Sequence, residues 1–190
     1  MYNREYKGDV CSHSHSFFLD NAFRRLIQSP GKIVGEYIKN GDTIVDLGCG
    51  PGYFSIDMAK MVGNTGQIIS VDLQPEMLAK VKKKAKEQNL SRRIILHNCS
   101  QDRIGLSPDT AADFVLVFYM LHETPDPDKF LQEIKTFLKK DGKCLIVEPI
   151  FHVSKKHFHN MTKNIEDMGF TILGRPSKKG GRSLLISPGD

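Results

Sequence analysis

The stretch TIVDLGCGPGYF, residues 43–54, decides how the rest of the chain is read. An apolar, β-branched run meets an acid at Asp46, and three glycines follow at 48, 50 and 52. From Tyr53 onward the apolar residues recur at helical spacing. A glycine turn between a strand and a helix lets a ligand approach backbone N–H groups closely. Glycine has no Cβ to hold the ligand off, and a helix N-terminus gathers unpaired donors. An acid directly beneath those donors narrows what the ligand can be.

Working outward, the same alternation repeats. TIVDL (43–47), QIISVDL (67–73), RIILHN (93–98), DFVLVFYM (113–120) and KCLIVEP (143–149) read as buried strands. YFSIDMAKMVG (53–63), QPEMLAKVKKKAKEQN (74–89) and PDKFLQEIKTFLKK (127–140) read as helices, the last two with a proline suited to a first turn. Strand–helix–strand order predicts a parallel sheet with helices on both faces. SKKHFHNMTKNIEDMG (154–169) is a further helix closed by Gly169. FTILGRP and RSLLISP, joined by SKKGG, then form a hairpin that makes the last strand antiparallel. Before the first strand, residues 17–41 suggest two short helices broken at Ser29-Pro30-Gly31. The expected architecture is one α/β domain over residues 1–190: a helical segment over 1–40 serving as a short lid, and a Rossmann-like core over 41–190 with a mostly parallel seven-stranded sheet.

Composition bounds the function classes. A chain of 190 residues with 39% hydrophobic content builds one ordinary core. No apolar run approaches the ~20 residues that span a bilayer, and residues 1–18 lack the uninterrupted apolar centre of a secretory signal. The expectation is a cytoplasmic protein, monomeric or homodimeric. Cys11, Cys49, Cys99 and Cys144 are scattered without a CxxC pair, which speaks against a disulfide framework, and Cys144 reads as a reduced core thiol. The formal charge of +5 sits largely in KVKKKAKEQ and SKK. The first of these reads as a solvated helix face with no interleaved aromatics, so nucleic acid is a minor option.

The glycine loop has two competing cofactors. A dinucleotide turn needs G-x-G-x-x-G. Counted from Gly48, that pattern meets Tyr53 instead of glycine; counted from Gly50, it meets Ser55. Asp46 would repel a pyrophosphate and attract an ammonium. The second strand ends in Asp72, an acid placed to accept from ribose hydroxyls. A nucleoside bearing an amino acid satisfies both demands, and S-adenosylmethionine is one. An NAD-dependent oxidoreductase is disfavoured by Tyr53 and Asp46.

VDLGCGPGYFS followed by VDLQPEML resembles the S-adenosylmethionine-dependent methyltransferases of the seven-strand Rossmann-like class, over residues 43–148. LDNAFRRLIQSPGKIV and FYMLHETPDP resemble a subgroup of small prokaryotic methyltransferases related to quinone and metalloid methylating enzymes. The resemblance implies roles by position. Asp46 reaches the methionine ammonium through water, and Gly48, Cys49, Gly50 and Gly52 form the floor under methionine and ribose. Asp72 holds the ribose hydroxyls, with Leu73 and Met77 beside the adenine. Cys99, Ser100 and Gln101 line the adenine edge, Ser100 standing where relatives often carry an acid. Phe118 and Tyr119 face the methionine end. Each feature also has a purely structural use: glycines serve turns, Asp46 serves as a helix cap, and Asp72 serves the turn before Gln74-Pro75.

Methyl transfer from a sulfonium needs alignment and water exclusion, and a base only where the acceptor loses a proton. His122, Tyr119 and Glu123 are the catalytic candidates, because they follow the fourth strand's carboxyl end, where open parallel sheets put their sites. The structural alternative packs His122 against the helix at Pro127 and uses Glu123 as a turn cap. No D/N-P-P-Y or Pro-Cys pair follows that strand, so a small-molecule oxygen, carbon, sulfur or metalloid acceptor leads. The rivals are a non-catalytic S-adenosylmethionine-binding module and an RNA methyltransferase. No metal is expected: Cys11, His13 and His15, and the pair His157 and His159, lack the spacing of a structural zinc site. Arg24 or Arg25, on the lid helix, stands as a candidate for the methionine carboxylate.

Overall fold

The computed structural model describes residues 29–178 and 180–189. The first expected N-terminal helix, with Arg24 and Arg25, and the set Cys11, His13 and His15 lie outside these residues. The chain enters through a short helix α1 (Pro30–Val34) and a 3-10 turn (Gly35–Tyr37). It then alternates: β1 (Thr43–Leu47), α2 (Tyr53–Met61), β2 (Gln67–Asp72), α3 (Pro75–Glu87), β3 (Ile94–Asn98), β4 (Ala112–Phe118), α4 (Pro127–Phe137), β5 (Leu138–Pro149), α5 (Lys155–Asp167), β6 (Phe170–Gly174) and β7 (Gly181–Pro188). The seven strands form one sheet in the order β3-β2-β1-β4-β5-β7-β6. All neighbours are parallel except β7, which runs antiparallel to both β5 and β6. This is the expected Rossmann-like sheet with its antiparallel last strand.

Side-chain parity divides the core into two layers. Val45, Leu47, Val71, Val115, Val117 and Ile146 face Phe130, Leu131 and Ile134 of α4 and Phe158 and Ile165 of α5. Ile44, Ile68, Phe114, Leu116 and Leu145 face the other way, onto Ile33 and Val34 of α1 and Phe54, Ile56 and Met58 of α2. Because successive residues of a strand alternate faces, Asp46 shares the α2 side with Ile44. Leu78 and Val81 of α3 close a smaller cluster against the half-buried edge strand β3. No helix among the described residues is long and apolar enough to cross a membrane.

One element departs from the sequence reading. The helix expected over 127–140 ends at Phe137, and Leu138 is already extended and paired with Ala112 of β4. Burial of Leu138 in the sheet layer outweighs its helical spacing. The register of β5 with β4 then shifts, from Ala112 opposite Leu138 to Phe114 opposite Lys143, and an added Cβ at Gly142 would lie 2.7 Å from Leu138 Cδ1 and 2.9 Å from two carbonyl oxygens.

Candidate active site

The strand order reverses between β1 and β4, and their carboxyl ends open on a cavity of about 420 Å³. Open α/β sheets hold ligands at such a switch point. The glycine loop forms one wall. The N–H groups of Gly48 and Cys49 both bond to Val71 O, at 2.9 and 3.0 Å, pinning the loop to β2. Gly48 has φ +69°, and a Cβ there would stand 2.6 Å from Met120 Cγ. Gly50 has φ +53° with nothing within 4 Å of a Cβ, so its bare face opens onto the cavity.

Asp46, only 2% exposed, accepts from Ser55 Oγ at 2.5 Å, and Ser70 Oγ donates to Ser55 Oγ at 2.9 Å. The carboxylate therefore ties the first turn of α2 to β1 through the Ser55 hydroxyl, while Gly52 is the N-cap of that helix. Burial pushes its pKa up to about 7; the Ser55 hydroxyl opposes that and the charge of Asp72 adds to it. Asp72 receives Gly50 N–H at 2.8 Å and Gln74 N–H at 2.9 Å, one on each oxygen. Burial raises its pKa against those backbone bonds. An ionised carboxylate has about four acceptor positions, so both oxygens can still receive ligand hydroxyls.

Asn98 Nδ2 donates to the carbonyls of Asp72 and Leu73, each at 2.9 Å, clasping the ends of β2 and β3 together. Beyond it, Ser100 Oγ donates to Asp102 Oδ1 at 2.8 Å, leaving its lone pairs to accept. The Cys99 thiol is pushed up to about 11 by burial, and Cys49 is raised for the same first reason. Both are neutral wall groups.

At the other end an aromatic row crosses from α2 to β4. Ring centroids lie 5.2 Å apart for Tyr53 and Phe54, 4.6 Å for Phe54 and Phe118, and 4.2 Å for Phe118 and Tyr119. Tyr119 has φ +59° and donates its N–H to Val147 O at 2.8 Å. A bulky residue held in the left-handed region is strained, and such strain concentrates at functional sites. A 3-10 turn, Leu121–Glu123, then carries His122 and Glu123 into the wall. His122 Nδ1 lies 2.5 Å from Glu148 Oε2 on β5, and its Nε2 lies 4.0 Å from Glu123 Oε1. The ring of His152 packs edge-on at 5.6 Å.

Together these features describe a nucleoside-sized cleft with acids at both ends of a bare glycine loop. The family model described as "Methyltransferase domain" matches residues 38–178. The chain belongs to the methyltransferase domain family. Demethylmenaquinone methyltransferase of Lactobacillus johnsonii is 38% identical over 111 residues, which is 58% of this chain and 45% of that protein. Ubiquinone/menaquinone biosynthesis C-methyltransferase UbiE of Cellvibrio japonicus is 26% identical, over 72% of this chain and 53% of its own length. The chain thus spans about half the length of these curated relatives. A SAM-dependent methyltransferase from Aquifex aeolicus superposes with TM-score 0.80 at 25% identity, covering 93% of this chain and 97% of that one.

Of the residues read from sequence in this methyltransferase domain, Asp46, Gly48, Cys49, Gly50, Asp72, Leu73, Met77, Cys99, Ser100, Gln101, Phe118, Tyr119, His122 and Glu123 all line the cavity. Gly52 stands off it: at φ +84° it is the N-cap of α2, and a Cβ there would touch Val81 Cγ2 at 3.0 Å. Its place is backbone geometry and close helix packing. His157 and His159 separate, the first on a small cavity behind His122 and the second on a basic surface groove. Sequence reading missed Ser55, Met120, His152 and above all Glu148. Glu148 had a visible signal, since an acid closes the buried run of KCLIVEP as Asp46 and Asp72 close theirs. Asp126 caps α4, accepting from Lys129 N at 3.2 Å.

Proposed function

We propose that this methyltransferase domain binds S-adenosylmethionine in the switch-point cleft and methylates a small molecule, with ring carbons and hydroxyls of the quinol type the leading acceptors. The observation that carries the reading is the presence of Asp46 and Asp72 together beside a glycine loop whose open member, Gly50, faces a cavity of about 420 Å³. The printed names of the curated relatives support the acceptor class. When bound, S-adenosylmethionine supplies an electrophilic methyl on a positive sulfur with a good leaving group.

The chain's own residues do the rest. Asp72 receives the ribose hydroxyls while its backbone bonds to Gly50 and Gln74 hold it rigid. Asp46 faces the ammonium, and the bare amides of the loop lie under the amino-acid tail. The apolar wall at Leu73 and Met77 takes the adenine face, and Ser100 accepts at its edge. Phe54, Phe118 and Tyr119 wall the reacting end against water, which aligns the acceptor and desolvates it. His122, Tyr119 and Glu123 meet the acceptor from the turn after β4.

Isothermal calorimetry with S-adenosylhomocysteine and with NAD tests the cofactor. We expect micromolar binding of the first and none of the second; the reverse would overturn the reading. Turnover to S-adenosylhomocysteine with 1,4-dihydroxynaphthalene tests the acceptor class.

A further inference from the structure

Glu148 does not line the cleft, yet it is 0% exposed and both its oxygens are aimed at one turn. Oε1 accepts from Leu121 N–H at 3.1 Å, and Oε2 lies 2.5 Å from His122 Nδ1. The ring N–H is not aligned with Oε2, but among the described residues neither atom has any other hydrogen-bond partner. A wholly buried acid tolerates that position only with a donor or a cation beside it, and His122 is the group within reach.

We propose that Glu148 is a positioning residue that engages His122 Nδ1 and leaves Nε2 bare for the acceptor. His122 is then a general base, and the acceptors of this site are molecules that must give up a proton, such as a weakly acidic ring hydroxyl or an enolic carbon acid. The inference rests on the methyl-transfer reading and narrows it. The neutral imidazole has one donor and one acceptor nitrogen, and a carboxylate beside Nδ1 selects the Nδ1–H tautomer. The acceptor's proton passes to Nε2, and the electron pair it leaves behind attacks the methyl carbon. The carbon–sulfur pair stays on sulfur. The imidazolium formed is stabilised by Glu148 until its proton returns to water.

Glu148 is the nearer of the two carboxylates that face His122, at 2.5 Å from Nδ1. Glu123 stands 4.0 Å from Nε2 on the same turn, and His152 reaches it from the loop after β5. Asp126 and Asp128, near the start of α4, and His157 of α5 share with it a small cavity of about 50 Å³ on the far side from the cleft. Burial alone would lower the His122 pKa, but the adjacent Glu148 carboxylate, then the charge of Glu123, outweigh it and leave it raised.

The deciding measurement needs neither cofactor nor acceptor. Long-range ¹H–¹⁵N correlation of the histidine side chains, with His122 assigned by His122→Gln, reports which nitrogen carries the proton. We expect the Nδ1–H form in the unmodified protein, a mixed or Nε2–H form with a lower pKa in Glu148→Gln, and recovery of the Nδ1–H form in Glu148→Asp. An Nε2–H tautomer in the unmodified protein, or no change in Glu148→Gln, overturns the proposal. The folded state of each variant is checked by its S-adenosylhomocysteine affinity, which should be unchanged.

In turnover, 1,4-dihydroxynaphthalene should be methylated and dimethyl sulfide, which has no proton to lose, should not. With the first probe, His122→Gln should lower kcat by about a hundredfold to ten-thousandfold at constant KM. Glu148→Gln should lower kcat and flatten the acid limb of its pH profile. Turnover of dimethyl sulfide that His122→Gln leaves intact also refutes the assignment. Failure of the unmodified protein to bind S-adenosylhomocysteine instead refutes the cofactor reading and leaves the tautomer result to decide the pair by itself.

Discussion

Replacing Asp46 with Asn separates the two uses of this carboxylate. With its pKa pushed to about 7, Asp46 is about half ionised at pH 7 and about 3% ionised at pH 5.5 in the unliganded protein. A ligand ammonium, whose own pKa is near 7.7 or above, stays charged across that window and binds the ionised form. Apparent affinity should therefore rise about fifteenfold from pH 5.5 to pH 7, following the ionised fraction. Binding at pH 7 should release about half a proton.

Calorimetry with S-adenosylhomocysteine in two buffers of different ionisation enthalpy reads that release directly. In Asp46→Asn the release attributable to this site and the pH slope should vanish, and affinity at pH 7 should fall about tenfold to a hundredfold. The same shift bears on stability. A carboxyl whose folded pKa is raised favours the fold below its ordinary pKa near 4 and loses that contribution as pH climbs through about 7. The unliganded protein should therefore be more stable at pH 5 than at pH 8, by about 2.6 kcal/mol from this group. Asp46→Asn should remove that slope, since Asn still accepts from Ser55. An equal proton release in both proteins would refute the reasoning, as would an unchanged pH slope of affinity.

The glycines of the loop should fail differently. Gly48→Ala drives a Cβ into Met120 and should lower both Tm and ligand affinity, whereas Gly50→Ala meets open space and should cost only about 1 kcal/mol of backbone strain while blocking the ligand, a contrast that thermal shift with and without S-adenosylhomocysteine reads. Asp72→Ala removes the acceptor that fastens Gly50 and Gln74, so it should weaken S-adenosylhomocysteine by about a hundredfold or more, measured by calorimetry. Phe137→Ala empties a fully buried place at the end of α4 and should destabilise the fold by about 3–5 kcal/mol in urea unfolding.

The strands and the helices α2 to α5 were legible because each couples a clear apolar period to glycine or proline punctuation. The glycine-loop end of the cleft was legible for a related reason: its residues follow one another closely behind β1, β2 and β3. The end at His122 was less so. Glu148 meets His122 only because β5 lies beside β4, a long-range adjacency that no local spacing reveals. The state of Asp46 was also hidden. Its burial comes from α2 folding over β1 and the neighbouring strands, and it turns a nominally negative group into one poised between two charge states. The end of α4 was misjudged because the apolar face continues smoothly into Leu138, whose partner, Ala112, lies in β4.

The place of β7 has a consequence for how the chain is made. Residues 181–188 are translated after β5 and β6, yet they lie between them, and β6 has no other neighbour in the sheet. A nascent chain halted after Gly174 would present the outer edge of β5 as an open row of amides and carbonyls, the kind of margin that recruits strands from other molecules. Completion of the sheet therefore waits until β7 has emerged, and a chain stalled before that point would hold an unfinished sheet with a sticky margin.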